Sequence, residues 1–594
     1  MRRLAIRLIA VLPLLAIAAS VACVATEAKG GIVWQRSDTA AFTQAREQHR
    51  FVLLYLEAVW CHWCHVMDEK TYGDAAIRSE IGAHYVPLRI DQDLRPDLSE
   101  RYKDYGWPAT VIFAADGSEI AKRQGFIEPQ RFLKLLQAIE ADPSPEAAES
   151  ADSTAAAPRA SALDEATRAE LVKRHHETYD AKLGSLTTGQ KYLDRDSVEY
   201  ALVQALNGDP AETAMAKKTL DAARALFDPA WGGVYQYSTH GDWQHQHYEK
   251  LATVQGQYLR IYALACAAFN RNGDKQAVAE IRRYLDAFLK DADGAFYVSQ
   301  DADLKPGEHS TGYFALNDKQ RRAKGVPRVD RHLYSLQNGQ IIEALATAAE
   351  YAGDNSALAE AKRAAEWIVA NRALDGGGFR HDAQDAAGPY LGDTLAMGRA
   401  FLALYRATAD RAWLTRAGAA ADFIGTNFAR TPAGYIGAKS SGPIAAVPRT
   451  EENISLARFA NLLARYTGKA EHRAIAESAV RYLADPKIAL DEITEPGVLL
   501  ADDELHADPL HLTVMGSKSD AAAAQLFGTV QHLPQWYKRV EWWDKTEGNL
   551  PNADVSYPSP KRAAAFVCTE NRCSLPIYDA EKIAEFVQSS RAKS

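Results

Sequence analysis

The chain is 594 residues long, 47% hydrophobic and 24% charged, with a formal net charge of −9. That length excludes a single ordinary core, so two or more domains are expected. Mild acidity without a Lys/Arg run argues against a nucleic-acid partner, and six cysteines are too few for a disulfide-built scaffold.

Residues 1–25 read as a secretory signal peptide. Arg2, Arg3 and Arg7 give the charged start, Leu8 to Ala19 the apolar stretch, and small residues follow, with cleavage after Ala22 or Ala25. An uncleaved N-terminal anchor is the alternative. Ser20-Val21-Ala22-Cys23 is a weak lipobox, so a lipid anchor on Cys23 stays open, and the membrane is expected as a partner only through this segment. The mature protein is expected to be secreted across the inner membrane into the periplasm, where thiol pairs meet oxidised partners.

Residues 28–140 carry the order of a thioredoxin-like α/β domain. An apolar run at 51–56 is short enough for a buried strand. Trp60-Cys61-His62-Trp63-Cys64-His65 follows at a helix start, then a second apolar run at 85–90. Gly106-Trp107-Pro108 leads into a third strand at 111–113. A C-x-x-C pair on a first helical turn can close a small disulfide ring, and the outer sulfur sits where the helix end favours a thiolate. Cys61 is then the attacking nucleophile and Cys64 the resolving thiol. Pro108 is a candidate cis-proline beside the pair, and His62 and His65 are candidates to bring positive charge near the sulfurs. The same residues also admit a c-type haem attachment or part of a zinc site. Haem predicts a small helical cytochrome, however, and zinc needs a further ligand, so redox thiols with no metal and no cofactor are expected.

Residues 141–162 are Ala, Ser, Pro and Glu and read as a linker. From 163 to 505 the apolar periodicity is helical and repeats as hairpins around polar turns such as Gly353-Asp354-Asn355 and Ala409-Asp410-Arg411. Glycine turns followed by an aromatic close the hairpins: Gly232-Gly233 before Tyr235, Gly294 before Phe296, Gly378 before Phe379, Gly434 before Tyr435. This pattern suits an all-α (α/α)6 toroid whose connecting loops gather at one end, with an open helical solenoid as runner-up. On those loops stand Trp243, His247, Glu249, Asp301, Asp303 and Asp393, the residue types of a sugar site. Each also has a plain structural use, as a cap, a solvated pair or a core aromatic.

Residues 506–594 read as a small C-terminal α/β appendage. Cys568 and Cys573 flank a turn-like Asn571-Arg572 and are candidates for a hairpin disulfide, with buried free thiols as the alternative. Cys266 lies on an apolar helical face and reads as core.

Taken together, Cys61-His-Trp-Cys64-His-Val-Met67, Asp91-Gln-Asp93, Gly106-Trp-Pro108, His247-Tyr-Glu249-Lys250, Asp301-Ala-Asp303, Gln337-Asn-Gly339 and Gly392-Asp393 resemble the family of spermatogenesis-associated protein 20 and its bacterial relatives. The resemblance implies a thioredoxin-like domain joined to a six-hairpin toroid like that of sugar epimerases and glycosidases. Two function classes compete: an extracytoplasmic thiol–disulfide oxidoreductase with a protein thiol or disulfide partner, and a carbohydrate-active enzyme with a sugar in the toroid. A binding scaffold with vestigial sites is a third.

Overall fold

The computed structural model describes residues 31–146, 160–308, 310–385, 387–439, 442–569 and 572–591. The signal segment, Cys23, Asn571 and most of the expected linker lie outside them. Among the described residues no helix is long and apolar enough to cross a membrane.

The N-terminal module runs α1 (Asp38–Gln48), β1 (Phe51–Glu57), α2 (His62–Lys70), α3 (Ala75–His84), β2 (Tyr85–Asp91), α4 (Pro96–Tyr102), β3 (Ala109–Phe113), β4 (Glu119–Gln124) and α5 (Pro129–Ala141). Its sheet has the order β2-β1-β3-β4, with β1 parallel to β2 and antiparallel to β3. Helices cover both faces, so β1 is apolar from Phe51 to Leu56 rather than alternating. Val52, Leu54 and Leu56 pack with Phe42 of α1 and Tyr102 of α4; Leu53 and Tyr55 face Ile77 of α3 and Phe132 of α5. This is a thioredoxin-like layout. The chain stays attached to it further than the expected linker start at 141. α5 runs through Ala141, and the Glu146 N–H donates to Ile120 O while its carboxylate holds Arg123 of β4.

The central module is a ring of helical hairpins. After α6 (Glu165–Glu177) come α7 (Arg195–Leu206) and α8 (Pro210–Ala223), then β5 (Tyr237–Ser238), β6 (Gln246–His247) and β7 (Lys250–Leu251). Next are α9 (Ala252–Phe269), α10 (Asn272–Tyr284), β8 (Ser299–Gln300), α11 (Thr311–Phe314), α12 (Asp318–Lys324) and β9 (Val329–Asp330). The ring continues with α13 (Ser335–Ala352), α14 (Asn355–Arg372), α15 (Leu391–Thr408), α16 (Arg411–Asn427), α17 (Thr450–Thr467), α18 (Ala470–Leu483), α19 (Pro486–Ala489) and α20 (Pro496–His506). Helices α7, α9, α13, α15, α17 and α20 pack in sequence, and α20 returns to α7, closing an inner ring. Each has an outer partner: α8, α10, α14, α16 and α18, and for α20 the first helix, α6. Closure is therefore an (α/α)6 toroid, not an open solenoid, and it is zipped where the module begins and ends: Leu163 N–H donates to Asp502, which also pairs with Arg168.

Two local rules explain the repeat. The residues around each glycine turn are pinned by a polar side chain on an inner helix: Asn338 bonds both N–H and C=O of Phe296, Asn453 does the same for Tyr435, Gln255 does so for Val234, and Thr394 accepts from Phe379 N–H. Gly339 lets α13 and α15 touch, since a Cβ there would sit 2.6 Å from the Ala396 carbonyl carbon. Along the axis the inner helices pair their charges. Arg260 reaches Glu199 and Glu343, Arg399 reaches Glu343, and Arg458 reaches Glu199 and Glu504.

The C-terminal module comprises β10 (Leu510–Met515), α21 (Ala521–His532), β11 (Lys538–Trp543), β12 (Ala564–Thr569), β13 (Arg572–Cys573) and α22 (Ala580–Arg591). Its order, β11-β10-β12-β13, with a parallel β10/β11 pair and antiparallel β10/β12 and β12/β13 pairs, repeats that of the N-terminal sheet. Gly516-Ser517-Lys518-Ser519 leads into its helix where the first sheet has its cysteines. Cys568 and Cys573 are disulfide-bonded across β12 and β13. This module sits where α13, α15 and α17 end: Tyr351 donates to Gln535 O, Lys538 pairs with Glu350, and Tyr466 accepts from Val540 N–H.

Candidate active site at the domain junction

The N-terminal module sits on the opposite, loop-bearing end of the ring, where the inner helices begin. β1 delivers the chain to a short turn, Ala58-Val59-Trp60, and Cys61 is the N-cap of α2. Its sulfur accepts from Cys64 N–H at 3.3 Å, and its thiol donates to Trp107 O at 3.4 Å. The Trp107–Pro108 bond is cis. The two sulfurs are not equivalent. Cys61 lines a cavity, while Cys64 is fully buried and its thiol is pushed well up by that burial and by Cys61. Cys61, on the cavity wall, is therefore the sulfur that can meet a partner.

The histidines of the motif face the ring. His62 Nδ1 lies 2.9 Å from both oxygens of Asp303, and His65 Nδ1 lies 3.2 Å from one of them. His65 Nε2 faces Val59 O at 3.1 Å, so both ring nitrogens meet acceptors and only the imidazolium satisfies them. Burial alone would lower the His65 pKa; Asp303 and Asp301 raise it instead. Burial likewise works against the Asp303 carboxylate, yet hydrogen bonds from His62 and His65 hold it at about 2. The positive charge expected beside the sulfurs is thus matched by a carboxylate from the toroid.

A second clasp lies alongside. Trp60 Nε1 donates to Asp93 at 2.7 Å, and His381 bridges Asp93 O and Asp393 at 2.6 and 2.8 Å. Burial pushes Asp93 up to about 6. Asp393, expected among the cavity residues, is fully buried in this clasp. Trp243 is also not in the cavity: its indole donates to Leu183 O and its rings pack in the toroid core. The aromatic there serves the loop, which buries it. Ile444 of a toroid loop packs into the N-terminal core, and Arg101 donates to Ala445 O.

Between the modules lies a cavity of about 720 Å³ lined by Cys61, Trp60, Trp107, Tyr237, His247 and Glu249, among others. Trp63, 40% exposed, stands at its rim and stacks on Phe126. His247 stacks on Tyr237 at 4.4 Å and lies 3.9 Å from Glu249. Glu249 is buried with Oε2 lacking a hydrogen-bond partner, and burial, with Asp301 and Asp303 nearby, pushes it up to about 8. Asp301, buried in the same group, is pushed up to about 6 by desolvation. The fold thus brings Glu249, Asp301, Asp303 and His247 to the same end of the ring as Cys61. It assigns Asp303 and Asp393 to docking.

His65, Asp301 and Asp303 offer ligand atoms within 4.8 Å of one another, as do His175, His176 and Glu212. In the first group an imidazolium between Asp303 and Val59 O has no lone pair to give a cation, so the set fits a hydrogen-bond network better than a metal. His381 and Asp93 were not among the expected site residues. His381 follows the Gly378-Phe379 turn, on a loop like the one that drew attention to His247, and could have been found by that logic.

Residues 16–142 match a family model, Thioredox_DsbH, described as a protein of unknown function (DUF255). An uncharacterized Caenorhabditis elegans protein is 24% identical over 48% of this chain and 43% of its own length. Spermatogenesis-associated protein 20 of Rattus norvegicus is 23% identical over 46% of this chain and 39% of its own. The chain is similar to spermatogenesis-associated protein 20. These matches span about four tenths of those relatives' length. The thiol:disulfide interchange protein DsbD of Ralstonia nicotianae is 33% identical over 18% of this chain and 19% of its own length. Among solved structures, cellobiose 2-epimerase from Bacillus thermoamylovorans superimposes with a TM-score of 0.43 at 9% identity, covering 54% of this chain and 86% of that one.

Proposed function

We propose that the protein is an extracytoplasmic thiol–disulfide oxidoreductase that works through Cys61 and Cys64. The observation that carries the reading is the placement of Cys61: N-cap of α2, beside the Trp107–Pro108 bond, with its sulfur on a cavity wall and Cys64 behind it. Attack from Cys61 gives a mixed disulfide, and Cys64 then displaces the partner. The toroid supplies the opposite wall and orients the motif through Asp303. The extracytoplasmic placement rests on the charged and apolar segment 1–25, with a lipid on Cys23 as a variant of it. Cys64→Ser should trap a mixed disulfide with a bound partner, and Cys61→Ser should abolish exchange. A Cys61→Ser protein that still turned over a disulfide would refute the proposal.

A sugar-directed reading has one observation in its favour: Glu249, a carboxylic acid that keeps its proton near neutral pH, beside His247 in the same cavity. Glycan turnover lost in Glu249→Gln and kept in Cys61→Ser would favour it.

A further inference from the structure

The charges around Cys61 are lopsided. Seven acidic side chains line the cavity against two cations, and with Glu249 and Glu495 pushed toward their protonated forms five others remain. Both cations are already engaged: Arg195 holds Asp196 at 2.8 Å and Glu451 at 3.2 Å, and Lys103 lies 3.9 Å from Glu492. Asp104, Asp194 and Glu495 form no salt bridge among the described residues, and the cationic group nearest Glu249 there is His247 at 3.9 Å. Burial together with repulsion from Asp196 and Asp194 pushes Glu495 well up, as crowding of like charges requires. Between the carboxylates lie aromatic faces, Trp60, Trp107, Tyr192 and Tyr237, which attract cations and repel anions. Cys61 itself is 4% exposed, and among the lining residues those open to solvent include Trp63, Asp104, Gln124 and Ile493. With so little of the sulfur at the surface, a small disulfide that enters the cavity reaches it more readily than a folded protein surface does while the modules are docked.

We propose that the partner of Cys61 is a small, positively charged disulfide, an amine-bearing molecule that enters the cavity between the modules. This rests on the oxidoreductase reading above. With cystamine as the probe, the Cys61 thiolate attacks one sulfur, the S–S bond breaks, and the first cysteamine leaves with the proton that Cys61 gave up. Cys64 loses its proton and attacks the Cys61 sulfur, releasing the second cysteamine, which takes that proton. The protein dithiol is oxidised to a disulfide and one cystamine is reduced to two thiols. The reverse direction uses the same site.

The test is stopped-flow oxidation of the reduced full chain by cystamine, 2-hydroxyethyl disulfide and 3,3′-dithiodipropionate, read by tryptophan fluorescence. Each rate is divided by that of dithiothreitol with the same disulfide, which removes differences in leaving group. The expected order is cation, neutral, anion, with roughly 100-fold between the ends at low salt. At high ionic strength the gap should shrink to a few-fold. Glu492→Lys and the pair Asp104→Asn with Glu492→Gln, both near the rim, should narrow it too. Equal normalised rates for all three disulfides would overturn the charge preference and leave the oxidoreductase reading standing. Reduction of insulin as fast as cystamine would overturn the size limit. If no disulfide oxidises the pair, the oxidoreductase reading falls, and this inference with it.

Discussion

Asp303 offers the clearest handle on how the two modules hold each other. It takes hydrogen bonds from His62 and His65 across the junction and from Gly307 N–H within its own loop. Asp303→Asn keeps the shape and removes the charge. The carboxyl sits at about 2, against roughly 3.9 in an unfolded chain. That difference corresponds to about 2.5 kcal/mol, and to roughly 1–2.5 kcal/mol once solvent screening on the His65 side is allowed for. Amide protection over 62–67 should then fall by roughly 5- to 70-fold in native-state hydrogen exchange. The pH profile carries a second signature. A depressed acid stabilises docking above about pH 4 and loses that effect as pH falls toward 2. His65, raised, stabilises below about 6.5 and loses the effect as pH rises through its folded value. Protection should therefore peak between about pH 4 and 6.5, and Asn at 303 should abolish the acid limb. Unchanged protection in the variant, or a wild-type profile that rises steadily from pH 3 to 9, would refute the reasoning.

Three further outcomes are expected. Glu199 is held well below its ordinary range by Arg260 and Arg458 despite burial, so Glu199→Gln leaves two buried guanidinium groups short of a partner. It should cost about 3–5 kcal/mol in urea unfolding of the toroid transition, and a loss under about 1 kcal/mol would contradict the pairing. Glu249, raised to about 8, contributes stability that is complete below about pH 4.3 and lost as pH rises toward 8. Glu249→Gln should flatten that slope and be more stable than wild type at pH 8.5 by thermal melting; an equal slope would count against it. Burial pushes the Cys266 thiol up to about 12, so iodoacetamide at pH 8 should leave it unmodified until the protein unfolds, as peptide mapping will read.

Much of the fold was readable because local chemistry and global packing agree. An unbroken apolar run at 51–56 demands two covered faces, and a C-x-x-C pair between that run and an x-Pro before another strand fits few layouts. Glycine turns followed by aromatics marked the hairpins, since the backbone there is held by a polar side chain of an inner helix, as Asn338 holds Phe296 and Thr394 holds Phe379. What stayed hidden depends on docking. Asp303 looked like a cavity acid because the sequence does not say that His62 and His65, some 240 positions earlier, would meet it. Trp243 looked like a stacking platform because an indole reads alike on either side of a loop. The network of Arg260, Glu343, Arg399, Arg458, Glu504 and Glu199 was invisible, because nothing in the sequence separates these charges from the solvent-facing ones on the same helices. The C-terminal sheet was legible as α/β, but its strand order needed the structure.

The toroid is stopped at both ends and in the middle. The N-terminal sheet sits over the loops, the C-terminal sheet over the far helix ends, and the Arg/Glu network of the inner helices occupies the axis between them. A long polymer therefore cannot be threaded through the ring and processed as it passes. If Cys61 exchanges disulfides as proposed, a visitor reaches it through the cavity between the first module and the toroid loops. One cavity serving both half-reactions would make the partners take turns, and the direction of electron flow would then follow from which of them is waiting outside.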